Sequence, residues 1–261
     1  MTLGILVTGA AGYLGATICK KLLGSGYGVL AIDTDEIALT QLQSLGEDER
    51  IRTLSVDVTD TQLLSMELQK CTYFFDRYVG LVNCVAYRDP NREKLHADFE
   101  DYDVEVWRKM LDVNLTGVFL SIQAFRKYLC TKGPASIVNL GSIYGALGTD
   151  HRIYSETNQQ TGKRSNNPCA YSASKAGVAG LTRYLATLWG EEGIRVNCVS
   201  PGGIYQAGMD ENFIAEYSTR VPLRAMGDAD TVAETVHFLV SDRSKYVTGQ
   251  EWLVDGGLSV W

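Results

Sequence analysis

The sequence lacks the features that mark nucleic-acid-binding and membrane proteins. It contains no run rich in lysine and arginine, and Asp and Glu outnumber Lys and Arg by 31 to 24. Binding to nucleic acid or to an anionic membrane surface is therefore not expected. No apolar run approaches the ~20 residues that span a bilayer. The N-terminus enters an apolar run without a basic region or cleavage site, which argues against a signal peptide and favours a cytoplasmic protein.

The sequence also lacks the cysteine and histidine spacings of metal sites. No two cysteines have CxxC spacing, and the three histidines, His96, His151 and His237, are scattered. The cysteines lie mostly in apolar segments, which predicts reduced thiols. We therefore expect neither a metal site nor a disulfide framework. The six cysteines are Cys19, Cys71, Cys84, Cys130, Cys169 and Cys198.

What the sequence does contain is an alternation of short apolar runs and longer helical stretches. A chain of 261 residues with 45% hydrophobic residues suits one large α/β domain or two small ones. Strands separated by helices predict a parallel sheet with right-handed crossovers. We expect an α/β, doubly wound Rossmann-type fold, with a seven-stranded parallel sheet, helices on both faces and a single domain over residues 1–261. The predicted strands are Gly4–Val7, Val29–Ile32, Ile51–Val56, Val79–Asn83, Ala135–Leu140, Ile194–Val199 and, with its turn, Glu251–Gly257.

Three glycines follow the first predicted strand. Gly9, Gly12 and Gly15 lead into a helix predicted over Ala16–Leu23. This order predicts a phosphate cradle, because glycines let the backbone approach a diphosphate and the helix dipole favours its charge. The same glycines could instead serve only a tight turn.

Asp33 ends the second predicted strand. An acidic residue at this point can bind both ribose hydroxyls of NAD and would repel the 2′-phosphate of NADP. The following residues, Thr34, Asp35 and Glu36, include no arginine that could accept that phosphate. The alternative is a carboxylate that caps the next helix, but the upstream glycine loop favours the coenzyme contact.

Tyr171 and Lys175 have the spacing of a proton-transfer pair. Residues four apart on a helix share one face, and an ammonium group near a phenol stabilises the phenolate. Such a pair could exchange a proton with an alcohol or a carbonyl near neutral pH. Tyr128 and Lys132 have the same spacing, but they precede the fifth strand and lie away from its carboxyl end, where ligands bind. Ser142 follows that end, although most such serines only cap or turn.

Asn114 lies in an apolar stretch of one long helix predicted over Asp103–Leu129. A buried amide needs hydrogen-bond partners. Composition alone favours a structural role, and a helix kink that holds a water molecule is the alternative.

Residues 146–169 form a polar segment without periodicity that carries His151, Arg152, Lys163 and Arg164. A loop of this length in a compact domain is usually functional or disordered. Because it lies between Ser142 and Tyr171, we predict a lid or substrate loop.

With these pieces in place, the chain resembles the short-chain dehydrogenase/reductase family along nearly its full length. The segments 221–227 and 238–257 resemble its classical branch. Tyr13 replaces the usual middle glycine, and the spacing with Gly12 resembles the extended branch, which acts mostly on nucleotide sugars. The mixture is similar to dehydrogenases of surface-polysaccharide and nonulosonic-acid pathways. The matching residues are Thr8–Gly15, Asp33, Asp57, Val58, Asn83, Ala86, Asn114, Ser142, Tyr171, Lys175, Pro201 and Gly202.

The resemblance implies a role for each site residue. Tyr171 would be the general acid/base, with Lys175 stabilising its phenolate and bonding the nicotinamide ribose. Ser142 would position the substrate oxygen and stabilise developing charge, and Asn114 would hold a relay water behind the lysine. Substrate contacts are predicted for Ser142, Tyr144, His151 and Arg152. Contacts to NAD are predicted for Gly9, Gly12, Tyr13, Leu14, Gly15, Asp33, Asp57, Val58, Asn83, Ala86, Tyr171, Lys175, Pro201, Gly202 and Ile204.

Three functions fit this reading. The first is an NAD-dependent oxidoreductase that acts on a secondary alcohol or ketone of a sugar or nucleotide sugar. The second is a classical dehydrogenase or 3-ketoacyl-type reductase with a small non-sugar substrate. The third is a non-catalytic NAD-binding protein. The resemblance also implies a homotetramer, with a dimer as the alternative.

Overall fold

The computed structural model describes residues 2–44, 50–71, 73–129, 134–154 and 166–261. Within them, seven strands form one sheet in the order β3-β2-β1-β4-β5-β6-β7, and every neighbouring pair is parallel. The sheet confirms the predicted fold class. The strands are Leu3–Thr8 (β1), Gly28–Asp33 (β2), Ile51–Ser55 (β3), Arg77–Asn83 (β4), Ala135–Leu140 (β5), Ile194–Pro201 (β6) and Glu251–Val254 (β7).

The strand order reverses between β1 and β4. The chain runs from β1 outward to β3 and then returns to the other side of β1. In open α/β sheets, ligands bind beyond the carboxyl ends of the strands at such a switch point. The end of β1 at Thr8 and the end of β4 at Asn83 are paired there, so this edge positions the site.

Helices cover both faces of the sheet because successive strand residues point to opposite sides. Leu6 and Ile137 belong to one apolar core, whereas their neighbours Val7 and Val138 belong to the other. Strands buried on both faces read as continuous apolar runs, which is why β5 and β6 are buried at every position. The predicted two-sided arrangement is confirmed.

The helices whose residues join the core of the first face are Thr61–Cys71 (α3), Gly117–Phe125 (α6) and Cys169–Trp189 (α8). Val104–Leu111 (α5) packs against α8. Those on the second face are Tyr13–Gly24 (α1), Glu36–Ser44 (α2) and Ala229–Val240 (α10). Further helices lie at the carboxyl edge and in its loops: Arg92–Leu95 (α4), Ile143–Ala146 (α7) and Glu211–Thr219 (α9).

The long helix predicted over Asp103–Leu129 is interrupted, which corrects that prediction. A π-helical turn, Asp112–Thr116, separates α5 from α6, and a 3₁₀ turn ends the run at Tyr128. Asn114 lies inside the π turn and is fully buried. An extra residue in the turn re-aims a side chain that a regular helix would direct elsewhere.

Two predictions fall partly on residues that the structure does not describe. In the predicted lid, His151–Tyr154 forms a 3₁₀ turn, whereas Lys163 and Arg164 lie outside the described residues. Lys132 does so as well. Among the helices described, none is long and apolar enough to cross a membrane.

Candidate active site

The glycine loop between β1 and α1 requires glycine at two positions. Gly9 has a φ of +67°, and a Cβ on it would lie 2.6 Å from the carbonyl carbon of Cys84. A Cβ on Gly15 would lie 2.0 Å from the Gly9 carbonyl oxygen. The backbone of α1 can therefore approach β1 and β4 closely, which leaves an open helix N-terminus.

No side chain of the helix start accepts a hydrogen bond from the first amide groups of α1. Gly12 precedes the helix, no side chain caps it, and the first turn contains no acidic residue. The helix begins at Tyr13, earlier than the predicted Ala16. The Tyr13 hydroxyl donates to the Tyr205 carbonyl at 3.0 Å, so it joins the glycine loop to the loop after β6. This geometry suits a phosphate group; Leu14 packs instead against the core.

The sequence left two roles open for Asp33, a coenzyme contact and a cap of the next helix. The structure assigns the cap to Asp35. Asp35 begins α2, and its carboxylate accepts from the Ala38 amide at 3.0 Å. The Asp33 carboxylate accepts from the Ala11 amide in the glycine loop at 3.0 Å and from the Thr34 amide at 2.8 Å. The helix cap is therefore Asp35, and Asp33 remains beside the loop.

A cavity of about 350 Å³ opens at the carboxyl ends of β1 to β4. Five of the predicted coenzyme contacts line it, namely Gly9, Asp33, Asp57, Val58 and Ala86. Sequence reasoning missed the others, because they come from a strand, loops and helical turns without a motif of their own: Ile32, Thr34, Val56, Val85, Tyr87, Arg88, Lys109 and Val113.

Asp57 stays ionised in this cavity. Partial burial favours the neutral acid, but hydrogen bonds from the Thr59 amide and hydroxyl outweigh it, and the pKa of Asp57 lies below its ordinary value. Lys109, on α5, contributes a further attraction. The carboxylate oxygen that Thr59 leaves unbound can accept from an amino group.

Asn83 is not among the residues lining this cavity, and its predicted coenzyme contact stays a prediction. The amide accepts from the Thr8 hydroxyl at 3.2 Å and donates to Asn139 at 2.8 Å. Asn139 in turn donates to the Thr182 hydroxyl at 2.9 Å on α8. Because β1, β4 and β5 are in register here, these buried side chains form a polar ladder across the sheet. A buried amide is stable only with such partners.

Tyr171 and Lys175 lie one turn apart on α8, as predicted. The Lys175 Nζ atom lies 5.7 Å from the centroid of the Tyr171 ring and donates to the Leu140 carbonyl at 2.8 Å. The lysine is only 3% exposed, and burying an ammonium group is costly without such a bond. The hydrogen bond to the last carbonyl of β5 therefore fixes the Lys175 ammonium group beside the Tyr171 ring.

Ser142 begins α7, just beyond the end of β5. Its Oγ accepts from the Tyr144 amide at 3.2 Å, so Ser142 caps this short helix. Ser142, Tyr144 and Tyr171 line one cavity of about 550 Å³ together with Gly202 and Ile204. Pro201, at the end of β6, is not among the residues lining this cavity.

Asn114 connects the π turn to α8. Its Oδ1 accepts from the Tyr87 amide at 2.6 Å, and its Nδ2 donates to the Ser174 hydroxyl at 3.2 Å. Ser174 donates to the Tyr171 carbonyl at 2.7 Å. Asn114 thus braces the helix that carries the tyrosine and makes no direct hydrogen bond to Lys175. The relay water implied by the resemblance stays a prediction.

An aromatic wall, defined here as Tyr144, Tyr154, Phe213 and Tyr217, lines the same cavity. The rings of Tyr154 and Phe213 are stacked with centroids 5.4 Å apart. Burial raises the pKa of Tyr154 to about 12, so this phenol is neutral at pH 7. Apart from Tyr144, no sequence motif indicates these residues, since they come from separate elements.

Other predicted residues lie elsewhere. His151 lines a separate cavity beside Tyr102, and Arg152 lines another beside Trp261. Arg152 is ion-paired with Asp150 at 2.7 Å, and its side chain is 83% exposed. The substrate contacts predicted for these two residues remain predictions.

Tyr128, which shares the tyrosine–lysine spacing, packs against Phe125 with ring centroids 6.0 Å apart. It is not among the residues lining the Tyr171 cavity. Within the described ranges, no group of three or more His, Cys, Asp or Glu is placed to hold a metal ion.

The fold and the site place the chain among the Rossmann-type oxidoreductases, and comparison with known proteins defines the family. A family profile described as "Enoyl-(Acyl carrier protein) reductase" matches residues 9–259. The chain belongs to the short-chain dehydrogenase/reductase family, whose members are oxidoreductases that act on CH–OH groups.

Relatives in this family have different substrates. The chain is 32% identical to cis-4-hydroxycyclohexanecarboxylate dehydrogenase of Sinomonas cyclohexanicum, covering 97% of this chain and 94% of that one. It is 31% identical to an L-tagatose-forming galactitol 2-dehydrogenase of Cereibacter sphaeroides, with coverages of 98% and 94%. A short-chain dehydrogenase of Leptospira borgpetersenii, solved with bound NAD⁺, matches with a TM-score of 0.81 at 30% identity, over 100% of this chain and 94% of that one.

Proposed function

We propose that the protein is an NAD-dependent oxidoreductase that transfers a hydride between the nicotinamide and a secondary alcohol or ketone of a sugar or nucleotide sugar. One observation carries the proposal: Tyr171 and Ser142 line one cavity, and the buried Lys175 ammonium lies 5.7 Å from the centroid of the tyrosine ring. The galactitol-oxidising relative supports a polyol or sugar substrate.

The protein's own residues handle the proton. Tyr171 takes the proton from the substrate hydroxyl during oxidation and returns it during reduction. The Lys175 ammonium, fixed on the Leu140 carbonyl, stabilises the phenolate by its charge. Ser142 donates a hydrogen bond to the substrate oxygen and orients the reacting carbon. When bound, NAD accepts or supplies the hydride.

The coenzyme fits the residues present. The open N-terminus of α1 and the close approach at Gly9 and Gly15 suit its diphosphate. Asp33 would bind the adenosine ribose, and Asp57 the adenine amino group. The solved relative with bound NAD⁺ supports this choice. The coenzyme contacts predicted above are proposed unchanged, and the side chain of Asn83 also belongs to the polar ladder.

The alternative is a dehydrogenase of a small non-sugar alcohol. The relative that oxidises a hydroxycyclohexane carboxylate favours it, as does the apolar surface of the aromatic wall. A thermal-shift screen with NAD present separates the two, because a ternary ligand raises the melting temperature by mass action. Sugars and nucleotide sugars should stabilise the protein under the first proposal, and cyclic alcohols under the second.

The catalytic assignment is tested by Tyr171→Phe. We expect kcat to fall by roughly 10²–10⁴-fold, since the general acid/base is lost, while the Kd for NAD stays within about twofold. The matched control is Tyr128→Phe, which removes a hydroxyl outside the cavity and should leave kcat unchanged. Near-normal turnover by Tyr171→Phe would refute the assignment. A wild-type protein that binds NAD but turns over no alcohol or sugar would instead support a non-catalytic NAD-binding protein.

We also propose that the protein is a cytoplasmic homotetramer, with a dimer as the alternative. Cys19, Cys71, Cys84, Cys169 and Cys198 are free thiols, which suits a reducing compartment. Residues 146–169 are proposed as a substrate loop within a single domain, because Tyr154 and Asn166 line the cavity of Tyr171.

A further inference from the structure

Two arginines line the cavity that contains Tyr171 and Ser142. Arg88 lies in the loop after β4, and Arg92 is the first residue of α4. Arg88 also lines the neighbouring cavity proposed for the coenzyme, whereas Arg92 is not among the residues lining that cavity. In a chain with a net charge of −7, two cations on one wall of a candidate substrate cavity require an explanation.

Neither guanidinium has an acidic partner among the described residues. The nearest carboxylate in sequence, Asp89, is occupied: it accepts from the Tyr87 hydroxyl at 2.9 Å and from the Asn91 amide at 2.8 Å. By contrast, Arg152 and Arg220 of the adjoining region share the Asp150 carboxylate. Arg88 and Arg92 are therefore available to a ligand.

The remaining polar groups of the cavity only partly offset the charge of this wall, because one carboxylate faces two arginines in the lining. His96 contacts the Asn166 carbonyl through Nδ1 at 2.9 Å. The acidic residue in the lining, Asp210, belongs to the element that carries Phe213, where it accepts from the Phe213 amide at 2.9 Å. The cavity therefore combines an arginine pair, the stacked rings of Tyr154 and Phe213, and the hydroxyls of Ser142 and Tyr171.

We propose that Arg88 and Arg92 bind an anionic group, a carboxylate or a phosphate, on the substrate. Guanidinium groups form paired hydrogen bonds with both anions. The aromatic wall then packs against the body of the substrate, and Tyr171 meets its hydroxyl. The substrate class is an anionic molecule with a secondary alcohol on a ring or short chain. The inference rests on the proposed function, since it names the substrate of the same site.

Binding measurements test the inference without turnover. Thermal-shift titrations with NAD present compare cyclohexanecarboxylate, the neutral cyclohexanecarboxamide and inorganic phosphate on the wild type, Arg92→Gln and Arg88→Gln. The matched control is Lys94→Gln, which removes the same charge from α4 but at a residue paired with Asp103 at 2.6 Å. Comparing the titration with cyclohexanecarboxylate and the titration with inorganic phosphate shows which of the two anions the site prefers.

We expect the wild type and Lys94→Gln to be stabilised by at least one anion and less by the carboxamide. In Arg92→Gln, the Kd for that anion should rise by roughly ten- to a hundredfold, the effect of losing a charged hydrogen bond. Equal binding of acid and amide, no binding of either anion, or an unchanged Kd in Arg92→Gln would overturn the inference.

The coenzyme is the competing ligand for Arg88. The Kd for NAD, measured without any anion, should be unchanged in both arginine variants. A tenfold weaker Kd for NAD in Arg88→Gln would assign that arginine to the coenzyme and overturn its part of the inference. Because these readouts are equilibrium constants, loss of anion binding is distinguishable from failure of the Tyr171 test, which concerns kcat.

Discussion

At the scale of single residues, Asp33 combines observed structural hydrogen bonds with a proposed coenzyme contact. One carboxylate oxygen accepts from the Ala11 amide in the glycine loop, and the other accepts from the Thr34 amide. The side chain therefore ties β2 to the phosphate cradle while its charge remains at the cavity. Substitution by alanine would remove both effects at once, so asparagine is the sharper probe.

Asp33→Asn should keep an oxygen acceptor for the loop and remove the charge that repels the 2′-phosphate of NADP. We expect kcat/KM with NADP to rise by roughly ten- to a hundredfold relative to NAD, since repulsion between like charges costs several kcal/mol. Steady-state kinetics with both coenzymes measures the ratio.

The control for this variant is Asp35→Asn. It removes the charge of the residue that caps α2, two residues after Asp33. It should leave the coenzyme preference unchanged. A wild-type enzyme that already prefers NADP would show that the assignment of Asp33 is wrong.

At the scale of secondary-structure elements, the π turn between α5 and α6 decides where Asn114 points. Its amide holds both the Tyr87 amide, beside the coenzyme cavity, and Ser174 on α8. One side chain therefore couples the loop after β4 to the helix that carries Tyr171. Helical periodicity alone would not reveal the extra residue in the turn.

Asn114→Ala should leave the Tyr87 amide without its acceptor. We expect the free energy of unfolding to fall by about 1–3 kcal/mol, measured by urea denaturation, together with a lower kcat. Ser121→Ala is the control, because the Ser121 hydroxyl bonds only the Gly117 carbonyl of its own helix. If both variants lose the same stability and keep full kcat, the bracing role is wrong.

At the scale of the whole molecule, the outer surface of the helices on one face is unusually apolar. Tyr184 and Leu188 of α8 are 64% and 52% exposed, and Phe119 of α6 is 45% exposed. Tyr184 and Leu188 are one helical turn apart and share a face. Such side chains often mark contacts between protein copies, which supports the proposed tetramer or dimer.

The double variant Tyr184→Glu with Leu188→Glu should dissociate the assembly, because two carboxylates would be buried at the contact. Size-exclusion chromatography with light scattering should show a fall in mass towards the monomer of 28.7 kDa. Ile37→Glu, an exposed position on α2 at the other face, is the control and should leave the mass unchanged. A wild-type monomer would refute the proposal.

The fold class, the glycine loop and the tyrosine–lysine pair could be predicted from the sequence alone, because each depends on a local pattern of residues. Apolar runs separated by helical stretches predicted the parallel sheet, because burial on both faces requires such runs. The glycines at 9 and 15 and the spacing of Tyr171 and Lys175 follow from backbone sterics and helix geometry, which are properties of neighbours in the chain.

The contacts between side chains that are far apart in the chain depend on how the helices pack on the sheet. In the folded protein, Lys175 donates to the Leu140 carbonyl, and Asn83 donates to Asn139 within the polar ladder. Arg88, Arg92 and the aromatic wall line the cavity of Tyr171. These contacts join residues from different elements, and no periodicity links them along the chain. Their positions follow from how the helices pack on the sheet, which is why the wall and the arginine pair could not be found before the fold was known.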